Sequence, residues 1–190
     1  MRHVKPQKQE TLSIHILKLV GLGLLITAAS LLSPTLLYQL MRGYLKYRKY
    51  KSYNKKQIQN SIAYLKRKKF VAYENKSGKV YLVLTKLGKI HLTDLEFENI
   101  KIQKPIKWDN KWRVLLFDIP EHKAAERQVF RLKLREMGFF HFQRSVFVLP
   151  YPCEKEIKKI IKHLEIQKYV HLITGQRFPN DKLLKKKFNL

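Results

Sequence analysis

From Arg113 to Thr174 the apolar pattern changes period in a fixed order, and that order restricts the fold more than any other feature of the chain. RVLLFDI, 113–119, has the apolar, β-branched character of a half-buried strand. The stretch 121–137 has helical spacing and stops at Gly138, a C-terminal helix signal. FFHFQRSVFVLP, 139–150, gives two short strands with a break near Gln143–Ser145. In 153–165, Ile157, Ile160, Ile161 and Leu164 fall on one helical stripe. YVHLIT, 169–174, reads as a last strand. The result is β-α-β-β-α-β, the ferredoxin-like split β-α-β arrangement. The 121–137 helix carries two apolar stripes. Phe130, Leu134 and Met137 form one; Ala125, Val129 and Leu132 lie nearly opposite. One stripe is expected against the sheet, the other against the N-terminal half or a second protomer.

The N-terminal half differs in charge. Residues 1–92 hold 19 Lys and Arg against 2 Asp and Glu; residues 93–190 hold 21 against 12. A formal net charge of +26 concentrated in this way calls for a polyanionic partner, nucleic acid or an anionic membrane. The stretch 54–68 begins with Asn54 as a cap, Gln57 three residues on, and Tyr53 and Ile58 spaced as a hydrophobic staple. Ile58, Ile62 and Leu65 form its apolar stripe, while Lys55, Lys56, Gln59, Asn60 and Lys66 lie off it. Two β-prone runs come next, 70–73 and 79–84, around the turn-forming Asn75-Lys76-Ser77-Gly78. Thr85 is placed to cap another helix reaching about Leu95. Helices followed by a hairpin make a winged helix-turn-helix. In that reading Lys55, Lys56, Gln59, Asn60 and Lys66 face double-stranded DNA, with Lys76 and Lys79 near the hairpin tip on backbone phosphate.

Residues 19–41 form an uncharged run long enough to span a bilayer. Thr27-Ala28-Ala29 also places small residues where a signal peptide would be cleaved. Ser33-Pro34 divides the run. The part before it, 19–32, suits a buried core helix, weakened by Gly21 and Gly23. The part after it, 34–47, is amphipathic. The core reading is preferred, with membrane attachment through 19–41 as the alternative. Cys153 is the only cysteine, which suits a reducing cytosol. It is expected to be an inert helix-opening residue. The histidines are too scattered for a zinc site.

KWRVLLFDIPE, a basic helix, then GFFHFQRSVFVLPYPCEKEI resembles the middle domain of the PaaX family of transcriptional repressors. That domain is itself similar to the small ferredoxin-like endoribonuclease subunit of CRISPR adaptation complexes. The likeness covers 106–175, and more loosely the preceding winged helix. It implies a dimeric, cytoplasmic DNA-binding repressor without a cofactor. It also implies an alternative, a magnesium-dependent nuclease or a CRISPR-adaptation-like subunit. In the CRISPR relatives the acid that ends the first strand holds a divalent metal, a role that maps onto Asp118. Gln143, Ser145, Val146 and Phe147 match their strand motif. Val148 stands where many of them carry an acid. The acyl-CoA response of the PaaX family is not expected to carry over, since a short basic stretch, 176–190, stands after the last strand. A lone carboxylate is a poor magnesium site. Asp118 is therefore expected to cap the following helix or to pair with Arg113 or Arg144, unless a two-fold dimer brings two copies together.

The expected organisation is a winged helix over 11–97, a linker at 98–105, the ferredoxin-like domain over 106–175 and a basic tail over 176–190.

Overall fold

The computed structural model describes residues 8–23, 26–27, 55–178 and 181–190. The expected helix 34–47, the Ser33-Pro34 break, the Asn54 cap and the Tyr53 staple lie outside them. The chain divides into two units, Met1–Leu95 and Glu96–Leu190.

In the first unit, helix α1 (Lys8–Gly21) buries Leu12, Ile16, Leu19 and Val20 along one stripe. The helix expected over 19–32 ends at Gly21. Residues Ile26–Thr27 instead form strand β1, paired with Leu82 and Tyr81. Two glycines within three residues remove the helix-forming bias where the run would have to continue. Among the described residues no helix is long and apolar enough to cross a membrane. Helix α2 (Lys55–Arg67) comes next, and its Ile58, Ile62 and Leu65 are buried against α1. A 13-residue helix is marginal alone. Each of those side chains adds about 1.5–3 kcal/mol on burial, so packing holds it.

Strands β2 (Val71–Lys76) and β3 (Lys79–Leu84) form the expected hairpin, with β2 running beyond the 70–73 read from sequence. Ser77 and Gly78 both take positive φ, 51° and 75°. That is the two-residue turn whose twist matches antiparallel strands, so Asn75 and Lys76 stay in the ladder. The sheet order is β1-β3-β2. Thr85 caps helix α3 (Lys86–Glu98) as expected: its Oγ1 accepts from the Gly88 amide at 3.0 Å.

The second unit is an antiparallel sheet of four strands, β4 (Trp112–Phe117), β5 (Phe140–Gln143), β6 (Val146–Leu149) and β7 (Val170–Gly175). Their order is β5-β6-β4-β7. Helix α4 (Ala124–Glu136) joins β4 to β5, and helix α5 (Glu154–His163) joins β6 to β7. This is the ferredoxin-like topology expected from the period changes. A short 3-10 turn, Glu121–Lys123, precedes α4 in place of the first turn of the expected 121–137 helix. Gly138, at φ 89°, ends α4 as expected, and the Phe139 amide returns to the Leu134 carbonyl.

Alternation on β4 decides which side chains meet which layer. Leu115 and Phe117 join Phe147, Leu149, Phe130, Leu134, Ile157 and Ile160 in the core under α4 and α5. Trp112 and Val148 face the other way and meet Leu184. Leu184 belongs to helix α6 (Asp181–Phe188), so the stretch read as a basic tail contains a helix docked on the sheet. The stretch read as a linker is also engaged, since Ile100 and Ile102 pack on the α4/α5 core. Of the two α4 stripes, Phe130, Leu134 and Met137 are buried, while Val129 and Leu132 are exposed.

Candidate nucleic-acid interface

On α2, burying Ile58, Ile62 and Leu65 turns the opposite face outward. Lys56, Gln59 and Asn60 are exposed there, at the i, i+3, i+4 spacing that makes side chains neighbours. Lys55 starts the helix. Lys66 is exposed two turns on, with its Nζ 4.5 Å from the centre of the Tyr73 ring on β2. That contact joins the helix surface to the hairpin. Lys76 and Lys79 face one another across the turn, and Lys76 also meets Glu74 at 3.3 Å. The sequence-derived residues thus fall in two groups, one on the outer face of α2 and one at the hairpin tip, with Lys66 and Tyr73 between them. Tyr73, 44% exposed, was not foreseen. An aromatic on a β-run directly after a basic helix was the available signal.

In the second unit, Asp118 lies just beyond β4 and its amide donates to the Tyr169 carbonyl at 3.0 Å. Its side chain is exposed. It does not cap the next helical segment: neither the 3-10 turn nor α4 has a side-chain cap bond. Nor does it pair with Arg113, which belongs to Asp109 and Glu154. Pro120 and Lys123, rather than Asp118, occupy the cap positions, because the chain turns through the 3-10 segment first. Asp118 lines an open concavity of about 440 Å³ with Ser145, Lys168, Tyr169 and His171. Strand β7 brings His171 there by pairing it with Leu116. Glu121, the next acid, bonds Arg127 at 2.7 Å, and that bond holds its carboxyl below the usual range. Among the described residues no three His, Cys, Asp or Glu side chains gather as a metal site. Of the matched strand motif, Phe147 is core, and Val148 is fully buried with Trp112 and Leu184.

Cys153 is fully buried at the start of α5. Burial, then the nearby Glu154 carboxylate, pushes its thiol up to about 12, so it is no nucleophile near neutral pH.

A four-stranded antiparallel sheet with two helices on one face defines the second unit as ferredoxin-like. Within it, residues 105–186 match the family described as the PaaX protein central Cas2-like domain. The match lies within the second unit and covers less than half of the chain. No curated protein matches the chain.

Proposed function

We propose that the chain is a transcriptional regulator of PaaX type that binds double-stranded DNA as a dimer. The observation that carries this is the pairing, in the first unit, of a helix with an exposed Lys56-Gln59-Asn60 face and a hairpin that comes directly after it and bears Lys76 and Lys79 at its tip. A helix followed by a basic wing is the winged-helix arrangement, in which the helix reads the major groove and the wing holds phosphate. The β1-β3-β2 sheet and α1 support it by fixing α2 against a single core. The action is promoter occupancy rather than catalysis. The second unit is the proposed dimerising element, and two-fold symmetry then calls for paired half-sites.

The nuclease alternative rests on Asp118 beside His171 in one concavity. It is the weaker reading. Where the CRISPR subunits carry a further acid, this chain has Val148 under α6, and magnesium favours more than one carboxylate or phosphate partner.

Selection of the purified chain against random duplex DNA at near-physiological salt tests the proposal. Enrichment of a motif with two half-sites is expected. Magnesium-dependent cleavage lost in Asp118→Ala would replace regulation with nuclease chemistry.

A further inference from the structure

Helix α4 places Arg127, Arg131 and Arg135 at four-residue intervals, one above another on the same side. The β5–β6 turn brings in a fourth arginine, because Arg131 Nη2 donates to the Arg144 carbonyl at 3.0 Å. Arg127 is fixed in the same way by the Ile119 carbonyl at 2.9 Å. Each anchor uses one nitrogen of a group that has five N–H donors. Of these four, only Arg127 has a carboxylate partner among the described residues, the largely exposed Glu121. Arg131 is the most crowded. Its guanidinium stands 5.7 Å over the Phe117 ring, and its Nε is shielded from solvent with no hydrogen-bond partner. Desolvation first, then the charges of Arg127, Arg144 and Arg135, press on its protonated form. Arginine stays charged regardless, so a bound anion would relieve the repulsion.

We infer that Arg127, Arg131, Arg135 and Arg144 form a phosphate-binding surface on the second unit that takes the phosphodiester backbone of nucleic acid. The row from Arg127 to Arg135 spans about 12 Å at ~1.5 Å per residue. That covers roughly three or four steps of one DNA strand at ~3.4 Å each. A single small phosphate would engage one or two of these guanidiniums; an extended polyanion engages all four. Planar, multidentate guanidinium suits phosphate better than a point charge does. Ser145, next in the chain to Arg144, lines the neighbouring concavity together with Lys168 and Asp118. The nucleic-acid identity of the ligand rests on the proposed function, whereas the phosphate chemistry does not.

The test uses the full chain, with Arg135→Gln and Arg144→Gln combined. Both side chains are exposed, and Arg127 and Arg131 keep their carbonyl anchors. Binding of a mixed-sequence duplex is read by fluorescence anisotropy across a salt series. Loss of two contacts is expected to weaken binding about tenfold at low salt. It should also flatten the slope of log K against log salt by about 0.9 per contact. Unchanged affinity and slope in a variant with parental circular dichroism would overturn the inference. A parallel Lys56→Ala/Gln59→Ala variant separates the two readings. Loss only there keeps the α2 interface and removes the arginine surface; loss only in the arginine variant does the reverse. Vesicles of phosphatidylglycerol and free inorganic phosphate serve as competitors. If the arginine variant changes binding to these but not to duplex, the nucleic-acid assignment falls.

Discussion

Arg113 grips Asp109 with two nitrogens, Nη1 to Oδ1 at 2.8 Å and Nη2 to Oδ2 at 2.6 Å, although Arg113 is 5% exposed and Asp109 lies in the approach to the strand. Its Nε reaches Glu154 at 3.4 Å, and Nη1 also meets the Pro150 carbonyl at 3.3 Å. One guanidinium therefore ties together the start of β4, the end of β6 and the start of α5. Arg113→Met removes the bonds to Asp109, Glu154 and the Lys111 and Pro150 carbonyls, and leaves the two acids with backbone amide donors but no cation; a loss of about 2–4 kcal/mol is expected in urea unfolding at neutral pH.

The same pair predicts acid sensitivity. The hydrogen bond from Arg113 holds the Asp109 carboxyl below its ordinary value. A depressed folded-state pKa gives stability that is present above the unfolded value, near 4, and lost as pH falls through the folded one. Asp109→Asn should be less stable than the parent at neutral pH, and the gap should narrow below about pH 4. Urea midpoints at both pH values measure it. A gap that stays constant across that window would show that the Asp109 charge contributes nothing.

Gly88 has no room for a side chain. A Cβ there would lie 1.9 Å from the Phe70 carbonyl oxygen and 2.8 Å from its carbon, both backbone atoms. The first turn of α3 rests on the chain that leads into β2, and Thr85 draws the two together by bonding the Lys69 carbonyl. Gly88→Ala is expected to cost the first unit about 1–3 kcal/mol, seen as a lower melting temperature. Duplex binding should weaken with it, since the hairpin is set by the same contact.

Helix α6 is held by the Trp112 indole, whose Nε1 donates to Asp181 at 2.7 Å, and by buried Leu184. Leu184→Asp should release the helix and wet Trp112, which is fully buried in the parent. The expected readout is a red shift of tryptophan emission with the far-ultraviolet sheet signal retained. Emission unchanged from the parent would mean that α6 does not shield the indole.

Cys153 supplies a clock for unfolding. With its thiol buried and pushed up to about 12, it should react with a disulfide reagent only when α5 opens. Labelling at the rate of a free cysteine in native buffer would contradict the burial.

The second unit was largely legible because alternation and helical stripes are local, and both layers of its core obey them. Helix α6 was not. KLLKKKF offers few apolar side chains, and its burial depends on Trp112 and Val148, which lie far upstream. Strand β1 was hidden for the opposite reason. Two residues within an unbroken apolar run carry no period, and only the pairing with Tyr81 and Leu82 makes them a strand. The surface types on α2 could be read directly, since a stripe of isoleucine and leucine determines what faces away. The surroundings of Asp118 could not, because His171 and Lys168 arrive from the far end of the unit. The row Arg127, Arg131, Arg135 was visible as spacing alone. What gives it meaning is the turn that adds Arg144.

Strand β4 lies inside its sheet, yet both its neighbours are made after it: β6 first, then β7, which pairs Phe117 with Val170 and Trp112 with Gly175. A ribosome delivers the chain from its N-terminus at about 5–20 residues per second. One long edge of β4 therefore waits roughly 3–10 s for its partner at that pace, with Trp112 lacking its α6 cover for longer still. During synthesis the newborn second unit is an open apolar edge, the kind of surface that chaperones and neighbouring nascent chains compete to cover.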